Sequence, residues 1–360
     1  MTLHKTLLVM AGGTGGHIFP ALAVADVLRQ QGWRVVWLGN PNGMEAKLVP
    51  ACGYECAWVT FGALRGKGLV RKLMLPVNLL RACVAARRVI REVRPDVVLG
   101  MGGYITFPGG VMARLAGVPL VVHEQNAVAG LANNVLSHIA TRVLTGFPET
   151  LPNAEWVGNP VRAEIANLPV PEKRYAERTD CEALHVLVVG GSLGAQALNT
   201  NMPQAVALIA PTQRPLIRHQ TGPRDCDTVK AAYADAGIGA DVQPFIDEMA
   251  AALAWADLVV CRSGALTVAE LAAAGVASVL VPFPHAVDDH QRVNAEFLVC
   301  GHDGQTAGHC VIQKELTIET LAALLQQSRA DLRAQAVAAR ALARADAAQR
   351  VADICKELAA

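Results

Sequence analysis

Two glycine-rich stretches are the first places in this sequence where a ligand could be held. Gly12–Gly16 and Gly190–Gly194 each follow a short apolar run, contain a hydroxyl side chain and precede a helical stretch. Glycine lets the backbone approach a ligand closely, and the helix that follows offers unpaired N–H groups and the positive end of its dipole. Either stretch alone could be a plain strand-to-helix turn. Their matching positions in the two halves of the chain favour a pair of anion sites.

Details of these stretches narrow the class of anion. A dinucleotide-binding turn has the pattern Gly-x-Gly-x-x-Gly, but Ile18 stands at the third glycine position of the first stretch, and the second stretch fails as well. The second strand ends in Gly39-Asn40 rather than in an acidic residue that could bind a ribose. NAD is therefore disfavoured. Neither stretch contains Gly-Lys-Ser or Gly-Lys-Thr, which excludes a P-loop nucleotide hydrolase. A phosphate or diphosphate held by backbone amides and hydroxyls remains.

Three more polar stretches follow apolar runs and are candidate parts of a site. They are His123–Asn126, Arg262–Glu270 and Asp288–Gln291. If the runs are parallel strands, these residues lie at the carboxyl ends of the strands, where ligand crevices form. We expect Ser263 to cap a helix whose N–H groups could meet phosphates, and Glu270 could accept hydrogen bonds from a ribose diol. Solvated loops and ordinary helix capping are the alternatives.

The elements that must position these residues are predicted from the alternation of short β-branched runs with helical stretches of roughly 10–15 residues, which is typical of βαβ units. Continuous apolar strands indicate parallel sheets buried on both faces. The predicted strands are 7–10, 35–38, 97–99, 120–122, 143–144, 186–189, 216–218, 242–245, 258–261 and 279–281. We expect an α/β fold with two doubly wound domains, 1–160 and 161–340, that meet near Asn159–Arg162. A C-terminal helix, within 341–360, is expected to pack back toward the first domain.

The composition bounds the partners. The chain has 32 Lys and Arg against 31 Asp and Glu, a net charge of +1, and only 4% aromatic residues. These values exclude a protein that is basic all over and argue against a stacking surface for single strands, so no nucleic-acid partner is expected. With 52% hydrophobic residues the chain can bury sizeable cores. Nine cysteines without a Cys-x-x-Cys pair indicate a reducing compartment rather than a disulfide framework.

No metal and no cofactor are predicted. His302, His309 and Cys310 come nearest to a zinc cluster, but no second pair of ligands accompanies them. Asp225-Cys226-Asp227 matches an Asp-x-Asp pattern by which some enzymes hold a metal, and we interpret it as a chance match. The longest uncharged runs, 97–113 and 271–287, are interrupted by Gly and Pro, which disfavours a membrane-spanning helix.

The segment 61–94 combines positive charge with apolar side chains. Its only acidic residue is Glu92, and its basic residues are Arg65, Lys67, Arg71, Lys72, Arg81, Arg87, Arg88, Arg91 and Arg94. Leucine, valine and methionine side chains are interleaved with them. A basic, apolar surface of this kind docks on anionic lipid head groups. A helix with a solvated basic face is the alternative.

The order and spacing of the motifs point to a known family. The motifs are Gly12–Pro20, Gly102–Tyr104, His123–Asn126 with Ala129–Leu131, Gly158–Arg162, Gly190–Ser192, His219–Gln220, Phe245–Ile246, Arg262–Glu270 and Asp289–Gln291 with Asn294. Over nearly the whole chain they closely resemble the MurG-type transferases of peptidoglycan synthesis. The resemblance departs at Leu193, where many relatives have Gln, and at Phe107, where Gly is common.

The resemblance implies a GT-B fold, in which two Rossmann-like domains face each other across a cleft. It implies the inverting transfer of GlcNAc from UDP-GlcNAc to the 4-hydroxyl of the MurNAc sugar of lipid I, which makes lipid II. It further implies a peripheral enzyme on the cytoplasmic face of the inner membrane, with cell-wall synthesis proteins as candidate partners. Two alternatives stay open: a GT-B transferase for another lipid, such as diacylglycerol, and a scaffold that binds the nucleotide sugar without turnover.

The resemblance also implies site residues in both domains. Those on the donor side would contact the diphosphate, ribose, uracil and sugar: Ser192, Ile246, Ala265, Leu266, Thr267, Val268, Ala269, Glu270 and Gln291. Those of the first domain would reach the sugar, the acceptor and the hinge: Thr14, Gly15, Gly16, Asn126 and Arg162. The acceptor hydroxyl needs a general base. His17 is the first candidate, because an imidazole has an ordinary pKa of about 6.5, and Glu124 is the second.

Overall fold

Parallel β-strands form the centre of each of two structural units. The computed structural model describes residues 5–61, 74–179, 182–191, 193–301 and 305–360. One unit comprises Met1–Arg162 together with Arg344–Ala360, and the other comprises Ala163–Ala343. The division after residue 162 lies two residues beyond the predicted boundary.

The first unit is built on a seven-stranded sheet of order β3-β2-β1-β4-β5-β6-β7. Its strands are β1 (Thr6–Met10), β2 (Arg34–Gly39), β3 (Glu55–Trp58), β4 (Val97–Gly100), β5 (Leu120–Glu124), β6 (Arg142–Thr145) and β7 (Glu155–Trp156). All neighbours in the sheet are parallel. Its helices in this part of the chain are α1 (Gly15–Gln30), α2 (Glu45–Ala51), α3 (Leu75–Val93), α4 (Thr106–Leu115) and α5 (Leu131–Ser137).

The second unit is built on a six-stranded parallel sheet of order β10-β9-β8-β11-β12-β13. The strands are β8 (His185–Val189), β9 (Leu216–Gln220), β10 (Ala240–Gln243), β11 (Leu258–Cys261), β12 (Ala277–Leu280) and β13 (Gly308–Cys310). The helices are α6 (Ala163–Ala166), α7 (Pro171–Ala176), α8 (Gln196–Ala207), α9 (Cys226–Asp235), α10 (Met249–Trp255), α11 (Ala265–Ala274), α12 (His290–Cys300), α13 (Ile318–Leu324) and α14 (Arg329–Ala341).

The last helix of the chain, α15 (Ala347–Leu358), belongs to the first unit. It lies against α1 and β4, and Val351, Ala352 and Cys355 are buried in the same apolar cluster as the β1 side chains Leu7 and Val9. Within the described ranges, every helix is too short or too polar to span a bilayer.

The strand order gives each sheet one switch point. β1 lies between β2 and β4, and β8 lies between β9 and β11, so the connections on the two sides of β1 and of β8 leave in opposite directions. In doubly wound sheets ligands bind at this point, outside the carboxyl ends of the strands. The turns that follow β1, β4, β8 and β11 are therefore the expected ligand-binding edges, and they contain the two glycine-rich stretches.

Differences between the predicted and observed strands occur at sheet edges. The strands β3, β7 and β13, which were not predicted, are all edge strands, and the predicted strand 242–245 is found at 240–243 as the edge strand β10. An edge strand is paired on one side only and needs no continuous apolar run, so its sequence signal is weak. The apolar central strands were predicted correctly to within a residue or two.

A buried carboxylate holds several elements of the second unit together. Asp257, just before β11, is completely buried and forms ion pairs with Arg178 and Arg329, the latter at 3.1 Å. It also accepts a hydrogen bond from the N–H of His185 at the start of β8. Two cations and a backbone donor compensate the desolvation of this carboxylate. Loss of any one of these partners would leave its buried negative charge partly uncompensated.

Candidate active site

The turn between β1 and α1 is tight and depends on glycine. Gly13 has a φ of +89°, which favours glycine, and Thr14 is the exposed residue that precedes α1. The turn after β4 packs against it: a Cβ on Gly103 would lie 2.4 Å from the carbonyl oxygen of Gly12. Glycine is needed at this position because two backbone segments approach each other. The half-buried Gly15 and Gly16 begin α1.

A protein carboxylate already occupies part of this turn. Glu45, the first residue of α2, is 1% exposed and accepts hydrogen bonds from the N–H groups of Gly13 at 3.1 Å and Asn40 at 3.0 Å. A Cβ on Gly12 or Gly43 would lie within 2.4 Å of the Glu45 carboxylate. Some glycines of the first stretch are therefore required by an internal anion rather than by a ligand. The sequence analysis missed Glu45, whose burial no local pattern indicates.

His17 lies in the first turn of α1, half-buried, at the carboxyl edge of the sheet. Its Nδ1 atom is 2.8 Å from Oε1 of Gln125. A Cβ on Gly102 would lie 2.7 Å from the same Nδ1 atom, so the glycine after β4 makes room for the imidazole. The structure thus brings the turns after β1, β4 and β5 together around His17.

His123 is the buried neighbour of this group. It is the fourth residue of β5, and its Nε2 atom is 2.9 Å from the carbonyl oxygen of Gly158. Complete burial lowers the pKa of His123 to about 4, because desolvation disfavours the imidazolium. Gln125 donates from Nε2 to Nδ1 of His123 at 3.1 Å and to its carbonyl oxygen at 3.0 Å. His123 is neutral at physiological pH.

Glu124, the second candidate base, is 1% exposed, and its carboxylate accepts hydrogen bonds from four donor groups. One carboxylate oxygen accepts from the backbone N–H and the side-chain Nδ2 of Asn126, at 2.9 and 3.3 Å. The other accepts from the Gly130 N–H at 3.1 Å and from Nδ2 of Asn133 at 2.9 Å. This carboxylate closes the loop after β5 and fixes the half-buried Asn126. Asn133 was not singled out from the sequence.

Two residues of the Gly158–Arg162 motif lie beside His17 and Gln125, at the carboxyl edge of the first sheet. Asn159 is buried and donates from Nδ2 to the carbonyl oxygen of Gln125 at 2.9 Å. The Arg162 guanidinium lies 5.8 Å from the ring centre of Phe19, two residues after His17. Both contacts lie within the first unit and place this motif beside the start of α1.

In the second unit, Gln220 connects the glycine-rich turn to another loop. Its Nε2 donates to the carbonyl oxygen of Gly191 at 3.0 Å, and its Oε1 accepts from the N–H of Ile246 at 3.3 Å. A Cβ on Gly194, where φ is +80°, would lie 1.9 Å from the Thr221 carbonyl oxygen, so this position needs glycine. The predicted ligand residue Ser192 lies outside the described residues.

Among the described residues, the first amides of α11 have no hydrogen-bond partner. The N–H groups of Ala265, Leu266 and Thr267 precede the first intrahelical bond, and Gly264 before the helix has no side chain that could accept from them. The Val268 N–H donates to the Gly264 carbonyl oxygen at 2.9 Å, and its side chain is buried. The first three of the predicted donor residues therefore present amides, whereas the Val268 amide, and by the helical pattern that of Ala269, point into the helix.

One expectation for this turn was wrong. Ser263 is not the helix cap: it precedes Gly264, is completely buried, and its Oγ has no hydrogen-bond partner among the described residues. Arg262 is the first residue of the candidate stretch Arg262–Glu270. Its guanidinium donates to the carbonyl oxygens of Val281 and Pro282 and to Oε1 of Gln313 at 2.7 Å. Burial lowers the pKa of Arg262, and its role here is to join β11 to the strand and loop beside it.

Two further predicted residues lie at this carboxyl edge. Glu270 is in the second turn of α11 and is 9% exposed. Gln291 is in the first turn of α12 and accepts the Phe283 N–H on Oε1 at 2.9 Å, which fixes the orientation of its amide. Asp288 and Asp289, just before α12, both have left-handed backbones with φ near 52°, a strained conformation of the kind that clusters at functional sites.

Metal ligands are not gathered anywhere in the part of the chain that the structure describes: no group of three or more His, Cys, Asp or Glu residues could hold an ion there. Asp225, from the Asp-x-Asp pattern, precedes α9 and accepts a hydrogen bond from Asn199 at 2.9 Å.

Comparisons with known proteins place the chain in a family. Residues 7–145 match the glycosyltransferase family 28 N-terminal domain, and residues 185–358 match the glycosyltransferase family 28 C-terminal domain. The chain belongs to glycosyltransferase family 28. The prediction of a glycosyltransferase is confirmed, as is that of a GT-B fold with two Rossmann-like domains.

Curated members of family 28 cover the full chain. A relative from Dechloromonas aromatica is 60% identical over 357 residues, which are 99% of this chain and 100% of the relative. One from Cupriavidus metallidurans is 60% identical over 356 residues, which are 99% of this chain and 98% of the relative. Both are named UDP-N-acetylglucosamine–N-acetylmuramyl-(pentapeptide) pyrophosphoryl-undecaprenol N-acetylglucosamine transferase. The resemblance to the MurG-type transferases is thus confirmed.

Solved structures agree. The crystal structure of Acinetobacter baumannii MurG is similar with a TM-score of 0.84 and 42% identity, over 98% of this chain and 99% of that chain. The glycosyltransferase of kitacinnamycin is similar with a TM-score of 0.69 at 18% identity, over 99% of each chain, which supports the fold alone.

The buried His123 is expected to make stability depend on pH. An unfolded histidine takes up a proton near pH 6.5, whereas folded His123 does so only near pH 4. Its contribution to the free energy of unfolding is therefore complete above pH 6.5 and is lost as the pH falls toward 4, by about 1 kcal/mol per pH unit. Urea unfolding at pH 7, 6 and 5 measures this slope. In His123→Leu the slope should be flatter by this amount, whatever the variant's stability at pH 7.

The exposed His138 is the control. His138→Leu should keep the slope of the unchanged chain. An equal slope in His123→Leu and in the unchanged chain would contradict the burial of a neutral His123.

Proposed function

We propose that the chain transfers GlcNAc from UDP-GlcNAc to the MurNAc 4-hydroxyl of lipid I, with inversion, and so forms lipid II. The observation that carries the proposal is the identity of 60%, over 99% of the chain, with relatives that bear the name of this transferase. The products would be lipid II and UDP. We place this enzyme peripherally on the cytoplasmic face of the inner membrane, with other cell-wall synthesis proteins as candidate partners.

The first unit, without its C-terminal helix, corresponds to the proposed acceptor domain of residues 1–160. His17 would take the proton of the 4-hydroxyl on Nε2 while the hydroxyl oxygen bonds to C1 of GlcNAc. The bond from C1 to the diphosphate oxygen breaks at the same time, and its electron pair leaves with UDP. Thr14, Gly15, Gly16 and Asn126 would contact the sugar and acceptor, with Arg162 beside them.

His17 is favoured over Glu124 as the base by its surroundings. His17 is half-buried at the sheet edge and its Nδ1 contacts Gln125, whereas the Glu124 carboxylate is buried and accepts from four donors. A base must be reached by the hydroxyl that it deprotonates. We therefore assign the proton transfer to His17 and the shaping of the Asn126 loop to Glu124.

The second unit corresponds to the proposed UDP-GlcNAc domain of residues 161–340. The departing UDP carries growing negative charge, and the free amides at the start of α11 together with its dipole can stabilise that charge without a metal. The remaining contacts are those that the family resemblance implies: the Ile246 backbone to uracil, Ser192 to the diphosphate and ribose, Glu270 to the ribose hydroxyls, and Gln291 to sugar or phosphate.

The reaction is tested with purified protein, UDP-GlcNAc and a lipid I analogue. We expect release of UDP together with a disaccharide-bearing lipid, and no turnover with a diacylglycerol acceptor. Turnover with diacylglycerol only would identify a transferase for another lipid. Binding of UDP-GlcNAc without UDP release from any acceptor would identify a scaffold, and either result would overturn the proposal.

Loss of the base should slow the chemical step. His17→Ala is expected to lower kcat by ~10²-fold or more, the scale for removing a general base, with little change in the KM for UDP-GlcNAc. The exposed His138→Ala serves as the control and should keep normal turnover. Near-normal kcat in His17→Ala would remove His17 from the role.

Helix α3 supports the proposed attachment to an anionic membrane. Residues 62–73 of the basic segment lie outside the described residues, but α3 is described. Val77, Leu80 and Val84 are exposed on it, with Leu80 65% accessible. Among the described residues of this segment, the exposed arginines are Arg81, Arg87, Arg88, Arg91 and Arg94. Exposed apolar side chains among cations suit a surface of anionic lipid head groups.

Charge reversal tests this surface. Arg81→Glu with Arg87→Glu and Arg88→Glu should weaken binding to vesicles that contain anionic lipid by at least ~10-fold at low salt, since each cation near such a surface is worth about 1 kcal/mol. Co-sedimentation measures the binding, and added salt should reduce the difference. Charge reversal at two exposed arginines of other elements, Arg29 and Arg34, is the control. Equal binding by the triple variant and the control variant would contradict membrane binding through α3. It would indicate a helix with a solvated basic face instead.

A further inference from the structure

A chain of hydrogen bonds runs from a backbone carbonyl to the proposed base. The Gly158 carbonyl oxygen is 2.9 Å from Nε2 of His123, Nδ1 of His123 is 3.1 Å from Nε2 of Gln125, and Oε1 of Gln125 is 2.8 Å from Nδ1 of His17. His123 and Gln125 are both buried, at 0% and 1% exposure. Bulk water therefore does not compete for the contact between His123 and Gln125, and the contact of Gln125 with His17 is partly buried.

The direction of every bond in this chain is fixed by its first member. A carbonyl oxygen only accepts, so Nε2 of His123 carries a hydrogen. Since His123 is neutral, its Nδ1 has a lone pair and requires a donor, which is the amide NH₂ of Gln125. The Gln125 oxygen must then face His17. Because that oxygen only accepts, Nδ1 of His17 carries a hydrogen.

A second contact fixes the Gln125 amide independently. Its Nε2 also lies 3.0 Å from the carbonyl oxygen of His123. Turning the amide over would place its oxygen against both this carbonyl oxygen and the His123 lone pair. The orientation of the Gln125 amide is therefore fixed by two acceptors, the Nδ1 atom and the carbonyl oxygen of His123. Both contacts require Oε1 of Gln125 to face His17.

We propose that His123 and Gln125 are positioning residues that hold His17 in the tautomer with hydrogen on Nδ1 and the lone pair on Nε2. This rests on the proposed role of His17 as the base. A neutral imidazole has one basic nitrogen, and a base in the other tautomer would present an N–H to the hydroxyl that it must deprotonate. Gln125 selects the tautomer as the carboxylate of a catalytic triad does, but without adding a negative charge beside the ring.

Glycines lie at both ends of this series of hydrogen bonds. Gly102 allows the His17 ring to lie close to the backbone, since a Cβ there would be 2.7 Å from Nδ1. Gly158 has a φ of +84°, and a Cβ on it would lie 2.3 Å from Cβ of Arg344, just before α15. The carbonyl at one end and the imidazole at the other are therefore both placed by close backbone contacts.

Nitrogen-15 NMR of the imidazoles tests the proposal on the full chain. The protonated and unprotonated ring nitrogens differ in chemical shift, and the His17 signals are assigned by their loss in His17→Ala. The measurement is made at a pH high enough that these signals no longer change, where the ring is neutral. There we expect Nδ1 of His17 to be the protonated nitrogen. A protonated Nε2 in the unchanged chain would overturn the proposal.

Substitution of Gln125 separates positioning from folding. Gln125→Met removes the acceptor with little change in volume, so the Nδ1–H signal of His17 should give way to a mixture of tautomers, and kcat should fall by at least ~10-fold at unchanged KM for UDP-GlcNAc. Gln125→Glu keeps an oxygen toward His17 and should retain the Nδ1–H tautomer. Gln30→Met, the same change at an exposed position of α1, is the control.

The outcomes distinguish this proposal from that of the base. An unchanged His17 tautomer in a folded Gln125→Met would overturn the positioning role. If the tautomer changes in that variant while His17→Ala turns over normally, the positioning role holds and the base is another group. If Gln125→Met does not fold, the tautomer of the unchanged chain and of Gln125→Glu decides.

Discussion

All strands of both sheets are parallel to their neighbours, and this constraint determines where the polar side chains of the molecule can meet. A parallel sheet that is covered on both faces leaves only the ends of its strands for chemistry. The residues after β1, β4 and β5 in the first unit, and after β8, β11 and β12 in the second, therefore converge although they are far apart in the sequence. The imidazole of His17 and the free amides of α11 lie at these edges for the same topological reason.

Glycine serves different purposes at the two edges. In the first unit the glycine-rich turn is shaped around a buried carboxylate, Glu45, and around a second turn that contains Gly103. In the second unit the glycine before α11 leaves the first amides of the helix uncovered. A glycine-rich pattern in the sequence therefore indicates a close approach of something to the backbone, and only the structure tells whether that is a side chain, another turn or space for a ligand.

Central strands and motif positions could be predicted from the sequence because an apolar strand buried on both faces and a glycine at a turn leave local signals. The edge strands β3, β7 and β13 could not, since one-sided pairing does not require a continuous apolar pattern. The site residues His17, Glu124 and Gln291 were predicted from motifs and the family resemblance, and the structure places them near the carboxyl ends of the strands. The partners of a side chain depend on contacts distant in sequence. For this reason the internal hydrogen bonds of Arg262 and the burial of Glu45 could not be predicted from the sequence.

The return of α15 to the first unit has a consequence for synthesis of the chain. Residues near 344 pack against Gly158, whose carbonyl begins the series of bonds that ends at His17. A ribosome has already made the whole second unit before it reaches these residues. The nascent first unit thus lacks one wall of its core and the contact beside Gly158 until residues 344–358 have been made. A product truncated before them would carry every motif of the site on an incomplete first unit.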